Sequence, residues 1–337
     1  MKIILDCMSG DLGAQPAVVG AAAAVESHGI EVMLVGKTDA LEDAIRTSGV
    51  SRNGLSIRDA QDVITMADDP VGAIRDKKQS SMVVALNAVA DDEGDAVISA
   101  GNTGALLTGA TLLVRRIPGA RRGALGAILP NVKGHSLLMD CGANVECTPE
   151  MLVQFAYMGS AFVAGTMGIP SPRVGLINNG TEAKKGPPLY VETHQLLKAA
   201  AEEGLLNFVG NVEGRDLPSG AADVYIADGF TGNLILKTFE GVGLYFAGQI
   251  KAMLMKNATT KLAALSLRSG LYELKSRMDY REVGGAPILG IRKPVIKAHG
   301  SSDARAFASA IAQTVRFCES GAIDNMTRAL GSLKTAK

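Results

Sequence analysis

Short β-rich runs alternate with longer helical runs along almost the whole chain. We read strands at 2–6, 31–35, 55–59, 95–99, 123–129, 136–140, 173–178, 206–210, 223–227 and 294–298. Helical patterns lie at 14–28, 38–48, 71–91, 103–115, 149–167, 187–203, 232–256, 260–278, 303–319 and 322–331. Parallel strands need a crossover between them, and crossover helices must cover both faces of the sheet. The expected fold class is therefore α/β, with a mostly parallel sheet between helical layers. The runs 123–129 and 136–140, joined by Asn131-Val132-Lys133-Gly134-His135, read as a hairpin. That hairpin adds antiparallel character or marks a hinge between lobes.

The most telling connection is Ser99-Ala100-Gly101-Asn102-Thr103-Gly104-Ala105. It follows a strand and opens a helix. Its glycines let the backbone approach a ligand, and free N–H groups at a helix start favour an anion such as phosphate. The same stretch also reads as a tight turn with Thr103 as N-cap.

Other apolar strands end the same way, in small or polar residues at 6–13, 140–144, 178–186, 210–214, 228–233 and 299–303. Open parallel sheets bind ligands beyond the carboxyl ends of their strands, so these ends suggest one shared cleft. Turn chemistry alone accounts for any single one of them. The 178–186 connection carries Lys184 and Lys185 between glycines, which suits an anionic substrate or a solvated surface loop. Asp228-Gly229-Phe230-Thr231-Gly232-Asn233 leads into a helix carrying Lys237 and Glu240. Lys237 stands one turn beyond Asn233, so both can face one helix mouth. In His299-Gly300-Ser301-Ser302-Asp303 either serine can cap the next helix. The same group can bind phosphate or polarise a thioester carbonyl.

Several classes are excluded by what is missing. No GxGxxG follows the first strand, and the lysines of 180–186 precede the last glycine, unlike a P-loop. The four cysteines form no CxxC and no zinc spacing. Asp6, Asp11, Asp140 and Asp228 could gather Mg²⁺, but they are scattered over four strand ends. The chain has no tryptophan and zero formal net charge, which argues against nucleic acid as a partner. No signal-peptide pattern and no apolar run of membrane-spanning length is present, so a cytoplasmic location is expected. A length of 337 residues allows one large or two medium domains. No Gly/Ser/Pro linker separates them, so any lobes are intimate.

The stretch 260–278 is basic and amphipathic. Leu267, Leu271, Leu274 and Met278 form one face, and Lys261, Arg268 and Lys275 recur every seven residues on another. Lys256 lies just before it. Such a helix packs its apolar side inward, lies on an anionic membrane, or grips an acidic partner.

Taken in order, these loops resemble one family, the bacterial phosphate acyltransferases of phospholipid synthesis. The segments carrying the resemblance begin with Asp6-Cys7-Met8-Ser9-Gly10-Asp11, Lys77-Lys78-Gln79-Ser80-Ser81-Met82 and 99–107. They continue with Asp140-Cys141-Gly142-Ala143-Asn144, Ser171-Pro172-Arg173-Val174-Gly175-Leu176 and 180–186. The last three are 210–216, 228–233 and Lys297-Ala298-His299-Gly300-Ser301-Ser302-Asp303. The chain departs from the family at Cys7 and Ser9, usually alanine and glycine, and at Cys141, usually valine. We read these cysteines as buried small residues rather than nucleophiles.

The resemblance implies a bilobal α/β/α sandwich like the isocitrate and isopropylmalate dehydrogenases, with residues 1–337 forming a single catalytic unit around a cleft. It implies transfer of a long-chain fatty acyl group from an acyl carrier protein to inorganic phosphate. It further implies a homodimer, no metal and no organic cofactor, and peripheral association with an anionic membrane. Region 253–278 would protrude for that purpose. A downstream glycerol-3-phosphate acyltransferase is a further implied partner. Lys184, His299, Asn233 and Lys237 are the candidate catalytic residues. Ser99, Asn102, Thr103, Gly104, Lys185, Asp228, Ser301 and Ser302 are candidates for phosphate or substrate. Lys256, Lys261, Arg268 and Lys275 are candidates for carrier protein or membrane. Two other classes compete: a decarboxylating dehydrogenase, which would bind NAD(P), and a non-catalytic binder of carrier protein or lipid.

Overall fold

The computed structural model describes residues 1–268, 270 and 284–333. Among the described residues eleven strands form one continuous sheet: β1 (Lys2–Asp6), β2 (Glu31–Gly36), β3 (Leu55–Asp59), β4 (Ala96–Ser99), β5 (Ala124–Asn131), β6 (Gly134–Met139), β7 (Val174–Asn178), β8 (Phe208–Glu213), β9 (Val224–Ile226), β10 (Ala286–Leu289) and β11 (Val295–Lys297). Their order across the sheet is β3-β2-β1-β4-β11-β10-β5-β6-β9-β7-β8.

The first five strands in that order are mutually parallel, and so are the last four. Between them β11–β10, β10–β5 and β5–β6 are antiparallel. Those three reversals leave the two parallel blocks running in opposite directions. The carboxyl ends of β1, β4 and β11 therefore leave one edge of the sheet, and those of β6, β9 and β7 leave the other. The polar strand ends that suggested one shared cleft thus leave the sheet in two groups, at opposite edges. The hairpin expected at 123–140 is β5–β6, and it belongs to the reversal. Strand β10 has no counterpart in the sequence reading.

Helices cover both faces. On one face lie α1 (Ala14–His28), α2 (Thr38–Ser48), α6 (Pro149–Met167), α7 (Pro188–Glu202), α10 (Ala304–Glu319) and α11 (Ala322–Ser332), packed on residues such as Ile3, Leu5, Ile98 and Leu176. Phe162 of α6 meets Phe317 of α10 edge-on at 5.0 Å between ring centres. On the other face lie α3 (Pro70–Asp76), α4 (Ser81–Ala90), α5 (Thr103–Gly109, continued as a π turn over Ala110–Val114) and the start of α8 (Gly229–Leu254). A short α9 (Ala258–Ser266) follows α8. Alternating strand side chains explain the division, since successive residues point to opposite faces.

The region expected as one helix over 71–91 is two. Asp69 accepts from Gly72 N and starts α3, and Ser80 accepts from Val83 N and starts α4. Apolar periodicity runs through both, so these caps decide the break. The helix expected over 260–278 extends beyond α9, and its Leu271, Leu274, Lys275 and Met278 lie outside the described residues. Among the described residues no helix is long and apolar enough to cross a membrane.

Candidate functional site

The site grows from the last residues of three adjacent parallel strands. Asp6 is the register partner of Ser99, and Ser99 of Lys297. Below them on the same face lies the apolar row Ile4, Val97 and Val295. The side-chain pattern changes from apolar to carboxylate, hydroxyl and ammonium within two residues, where the strands leave the core. Ser99 Oγ donates to Asp6 Oδ2 at 2.6 Å and accepts from Gly101 N at 3.1 Å. Ser99 is thus fully buried and shapes the loop after β4 from inside.

Asn102, not Thr103, caps α5: its Oδ1 accepts from Ala105 N at 3.0 Å. Its Nδ2 faces the carbonyls of Thr65 and Met66, each at 3.4 Å. That 65–68 segment is in turn held by Lys77, whose Nζ donates to Val63 O at 3.0 Å and Asp68 Oδ2 at 2.8 Å. The Lys77 ammonium and the Thr65 N–H pull the Asp68 carboxyl down to about 2. Gly104 stands against Pro70, where a Cβ would lie 2.8 Å from Pro70 Cγ. Thr103 and Gly104 supply the first N–H groups of α5.

The loop after β11 docks on the loop after β1, because Asp11 N donates to Gly300 O at 2.8 Å. His299 Nδ1 lies 2.8 Å from Ser301 Oγ and accepts from Ser301 N at 3.3 Å. With Nδ1 accepting, this network assigns the neutral ring's proton to Nε2. Burial lowers the His299 pKa, Lys297 and Lys237 lower it further, and Glu240 and Asp11 oppose them. The imidazole is therefore neutral at neutral pH. The cap of α10 is Asp303, accepting from Ala306 N at 2.9 Å, rather than Ser301 or Ser302. Ser301 is exposed and Ser302 is buried.

A second set of residues forms where β6 and β9 end. The Asp140 carboxylate accepts from Leu125 N, Ala143 N, Asn144 N and Asn144 Nδ2 at 2.7–3.1 Å. Asp228 caps α8, accepting from Thr231 N at 2.9 Å and from Thr231 Oγ1 at 2.8 Å. The Tyr190 hydroxyl donates to Asp228 Oδ2 at 2.5 Å. Asp228 is thus engaged within the protein. Asp6, Asp140 and Asp228 sit in separate hydrogen-bond networks and do not gather. Exposed Asn233 faces Gly142, whose added Cβ would lie 3.6 Å from it.

Lys184 and Lys185 lie exposed on the loop leading to α7 and Tyr190. Asn178 Nδ2 donates to Lys185 O at 2.9 Å, and Asn211 Nδ2 to Glu182 O at 2.8 Å, so two asparagines hold that loop. Lys185 Nζ lies 3.9 Å from Glu182. Arg173, in another of the resembling segments, clamps Asp223 through two nitrogens and is architectural.

The two sets meet through α8. Lys237 pairs with Glu240 at 2.9 Å, and both act electrostatically on His299 from across the junction. So the structure sets the loop carrying Asn102, Thr103 and Gly104 beside the loop carrying His299 and Ser301, with Ala298 N donating to Ser99 O at 2.9 Å, and Lys237 acts electrostatically on His299. Asn233 stands one turn before Lys237, and Lys184 and Lys185 lie on the loop that leads to Tyr190, the partner of Asp228. Lys256, Lys261 and Arg268 are exposed on and beside α9, and Lys275 lies outside the described residues. Lys297 and Tyr190 were absent from the expected site residues, and Asp6 entered only as a possible Mg²⁺ ligand. The signal for Lys297 is a lone lysine closing the apolar strand Pro294-Val295-Ile296.

Comparison with known proteins gives a consistent relationship. Residues 1–325 match the family model described as "Fatty acid synthesis protein". A phosphate acyltransferase from Bacillus licheniformis is 46% identical over 315 residues, covering 93% of each chain. One from Alkaliphilus oremlandii is 42% identical over 333 residues, covering 99% of this chain and 98% of its own. Among solved structures, a phosphotransacetylase from Streptococcus pyogenes shares the fold with a TM-score of 0.65 at 16% identity, over 95% of this chain and 94% of its own. A 4-hydroxythreonine-4-phosphate dehydrogenase from Klebsiella pneumoniae does so with a TM-score of 0.53 at 11% identity, over 94% and 99%.

Proposed function

This chain belongs to the fatty acid synthesis family of phosphate acyltransferases, and on that premise we propose that it moves a long-chain fatty acyl group from an acyl carrier protein thioester to inorganic phosphate. A phosphate oxygen attacks the thioester carbonyl and forms the new C–O bond. The tetrahedral oxyanion then collapses, the C–S bond breaks, and the carrier thiolate takes up a proton. Phosphate is itself a competent nucleophile near neutral pH, so no acyl-enzyme is needed. The protein's task is to hold two anions in register and to solvate them with fixed donors.

Asn102 shapes the start of α5, and the N–H groups of Thr103 and Gly104 receive phosphate together with Lys184 and Lys185. His299, Ser301 and Asn233 serve the thioester side, and Lys237 serves either anion. Ser99, Asp228 and Ser302 act from behind, through the loops they hold. The observation that carries this reading is the loop after β11 held against the loop after β4, where Ala298 N donates to Ser99 O at 2.9 Å, with Lys237 and Glu240 of α8 acting electrostatically on His299. It supports a single working unit, residues 1–337, in which two intimate lobes close on the substrates. No metal or organic cofactor enters the reaction.

The carrier protein is acidic, as is a bacterial membrane surface, and the basic residues Lys256, Lys261, Arg268 and Lys275 suit one or both. The exposed apolar residues Leu244, Tyr245, Phe246, Met253, Leu262 and Leu265 on α8 and α9 support a homodimer and peripheral membrane attachment. The cytoplasmic enzyme would hand its acyl phosphate to a glycerol-3-phosphate acyltransferase. The deciding experiment incubates the protein with palmitoyl-acyl carrier protein and phosphate. Phosphate-dependent release of free carrier protein, with acyl phosphate trapped by hydroxylamine, is expected. Release without phosphate dependence refutes the reading. A coenzyme A thioester control separates it from phosphotransacetylase activity.

A further inference from the structure

Lys297 differs from the assigned lysines Lys184, Lys185, Lys237, Lys256 and Lys261, which are exposed. It stands at the carboxyl edge of β11, partly buried, in the cross-strand row with Ser99 and Asp6. Its Nζ donates to Ala100 O at 3.2 Å and also to Ala298 O. Those two carbonyls belong to different loops. Ala100 opens the loop that carries Asn102, Thr103 and Gly104. Ala298 opens the loop that carries His299 and Ser301. One ammonium therefore ties together the two loops that the proposed reaction needs in fixed register.

The surroundings fit a built-in cation rather than a solvated one. Burial pushes the Lys297 pKa down to about 8, Asp11 and Asp6 hold it up, and Lys237 lowers it again. Both carboxylates come from β1 and the loop after it, and Lys237 comes from α8. Exposed lysines pay little for their charge, whereas a buried one keeps it only against fixed partners. Here the partners are two main-chain carbonyls and the β1 carboxylates. The same ammonium acts on His299, two residues along.

We propose that Lys297 is a positioning residue of the acyl-transfer site: its ammonium locks the loop leaving β4 to the loop leaving β11 and so fixes where His299 stands. Its kinetic meaning depends on the acyl-transfer reading; the link between the two loops does not.

The test uses the full chain with Lys297→Met and Lys297→Arg, each checked for folding by thermal melting. The histidines are followed by NMR titration, with His299→Asn assigning the relevant signal. In Lys297→Met the His299 midpoint should rise, because a nearby positive charge has gone; in Lys297→Arg it should stay near the native value. In turnover, Lys297→Met should lose rate on the order of 100-fold, the scale of a misplaced reacting group. Lys297→Arg should recover part of it. The native rate should fall as pH rises through about 8, and Lys297→Arg should flatten that limb because arginine stays charged. An unchanged His299 midpoint in Lys297→Met, or native kcat and KM in that variant, overturns the proposal. If Lys297→Met does not fold, an alkaline limb in Lys297→Arg equal to the native one overturns it. If the native protein shows no phosphate-dependent turnover, the acyl-transfer reading fails, and the NMR midpoints still decide the role of Lys297.

Discussion

Ser99 Oγ donates to Asp6 Oδ2 over 2.6 Å, between two residues paired in register on adjacent parallel strands. Both side chains are fully buried. Ser99→Ala removes the donor to Asp6 and the acceptor for Gly101 N together. A buried polar group left without its partner costs about 1–3 kcal/mol. Urea unfolding should show a loss of that size, and phosphate-dependent turnover should fall as the loop after β4 loosens.

The electrostatic link across the junction has a sign that can be measured. Lys237 lowers the His299 pKa and Glu240 raises it. Lys237→Met should therefore move the acid limb of the rate profile to higher pH, and Glu240→Gln should move it lower. His299 has an ordinary value of 6.5 and a lowered one in the fold, so the native limb should lie below 6.5. Shifts in the same direction for both variants would contradict the arrangement.

Gly232 is where α8 touches the end of β6. A Cβ built there would lie 1.9 Å from Asp140 O, a backbone atom that cannot swing aside. Gly232→Ala should destabilise the protein by at least ~1–3 kcal/mol, the usual cost of overpacking, in chemical denaturation. Turnover should fall more than stability alone explains, since α8 carries Asn233 and Lys237. Gly241, on the same helix, has open space around it and serves as the control.

The cysteines should be chemically quiet. Burial raises the Cys147 and Cys318 thiols to about 12, and it raises those of Cys7 and Cys141 as well. The thiolate is the reactive form, so iodoacetamide should label the folded protein slowly near neutral pH. Mass spectrometry should find no acyl group on cysteine during turnover, and Cys7→Ala with Cys141→Ala should keep phosphate-dependent activity.

Charge reversal at Lys256, Lys261, Arg268 and Lys275 should weaken binding to carrier protein or to anionic vesicles, more strongly at low salt than at high. Surface resonance and vesicle co-sedimentation read the two partners separately. Unchanged affinity for both would remove this stripe from the function.

Helices α1, α2 and α6 occur at the residues their periodicity indicates, because each ends in a glycine with left-handed backbone at Gly29, Gly49 and Gly168. Those are local signals, and a sequence carries them openly. The break between α3 and α4 was also written locally, in Asp69 and Ser80, but continuous apolar spacing concealed it. The loop after β4 was legible as a site candidate because glycine, amide and hydroxyl crowd one strand end. Its true cap, Asn102, depends on the 65–68 segment that it also binds, which no local pattern shows.

By itself the sequence determined the alternation of strands and helices, the parallel character of the sheet and the family to which the chain belongs. All three rest on short-range periodicity or on residue order. Only the tertiary structure decided that β10 enters between β11 and β5, reversing the second block and sending its polar ends to the opposite edge. It alone set Asp6, Ser99 and Lys297 in one row, with Lys237 of α8 acting electrostatically on His299. Register and crossing depend on how distant surfaces pack against each other, and that free energy belongs to pairs far apart in the chain rather than to any one segment.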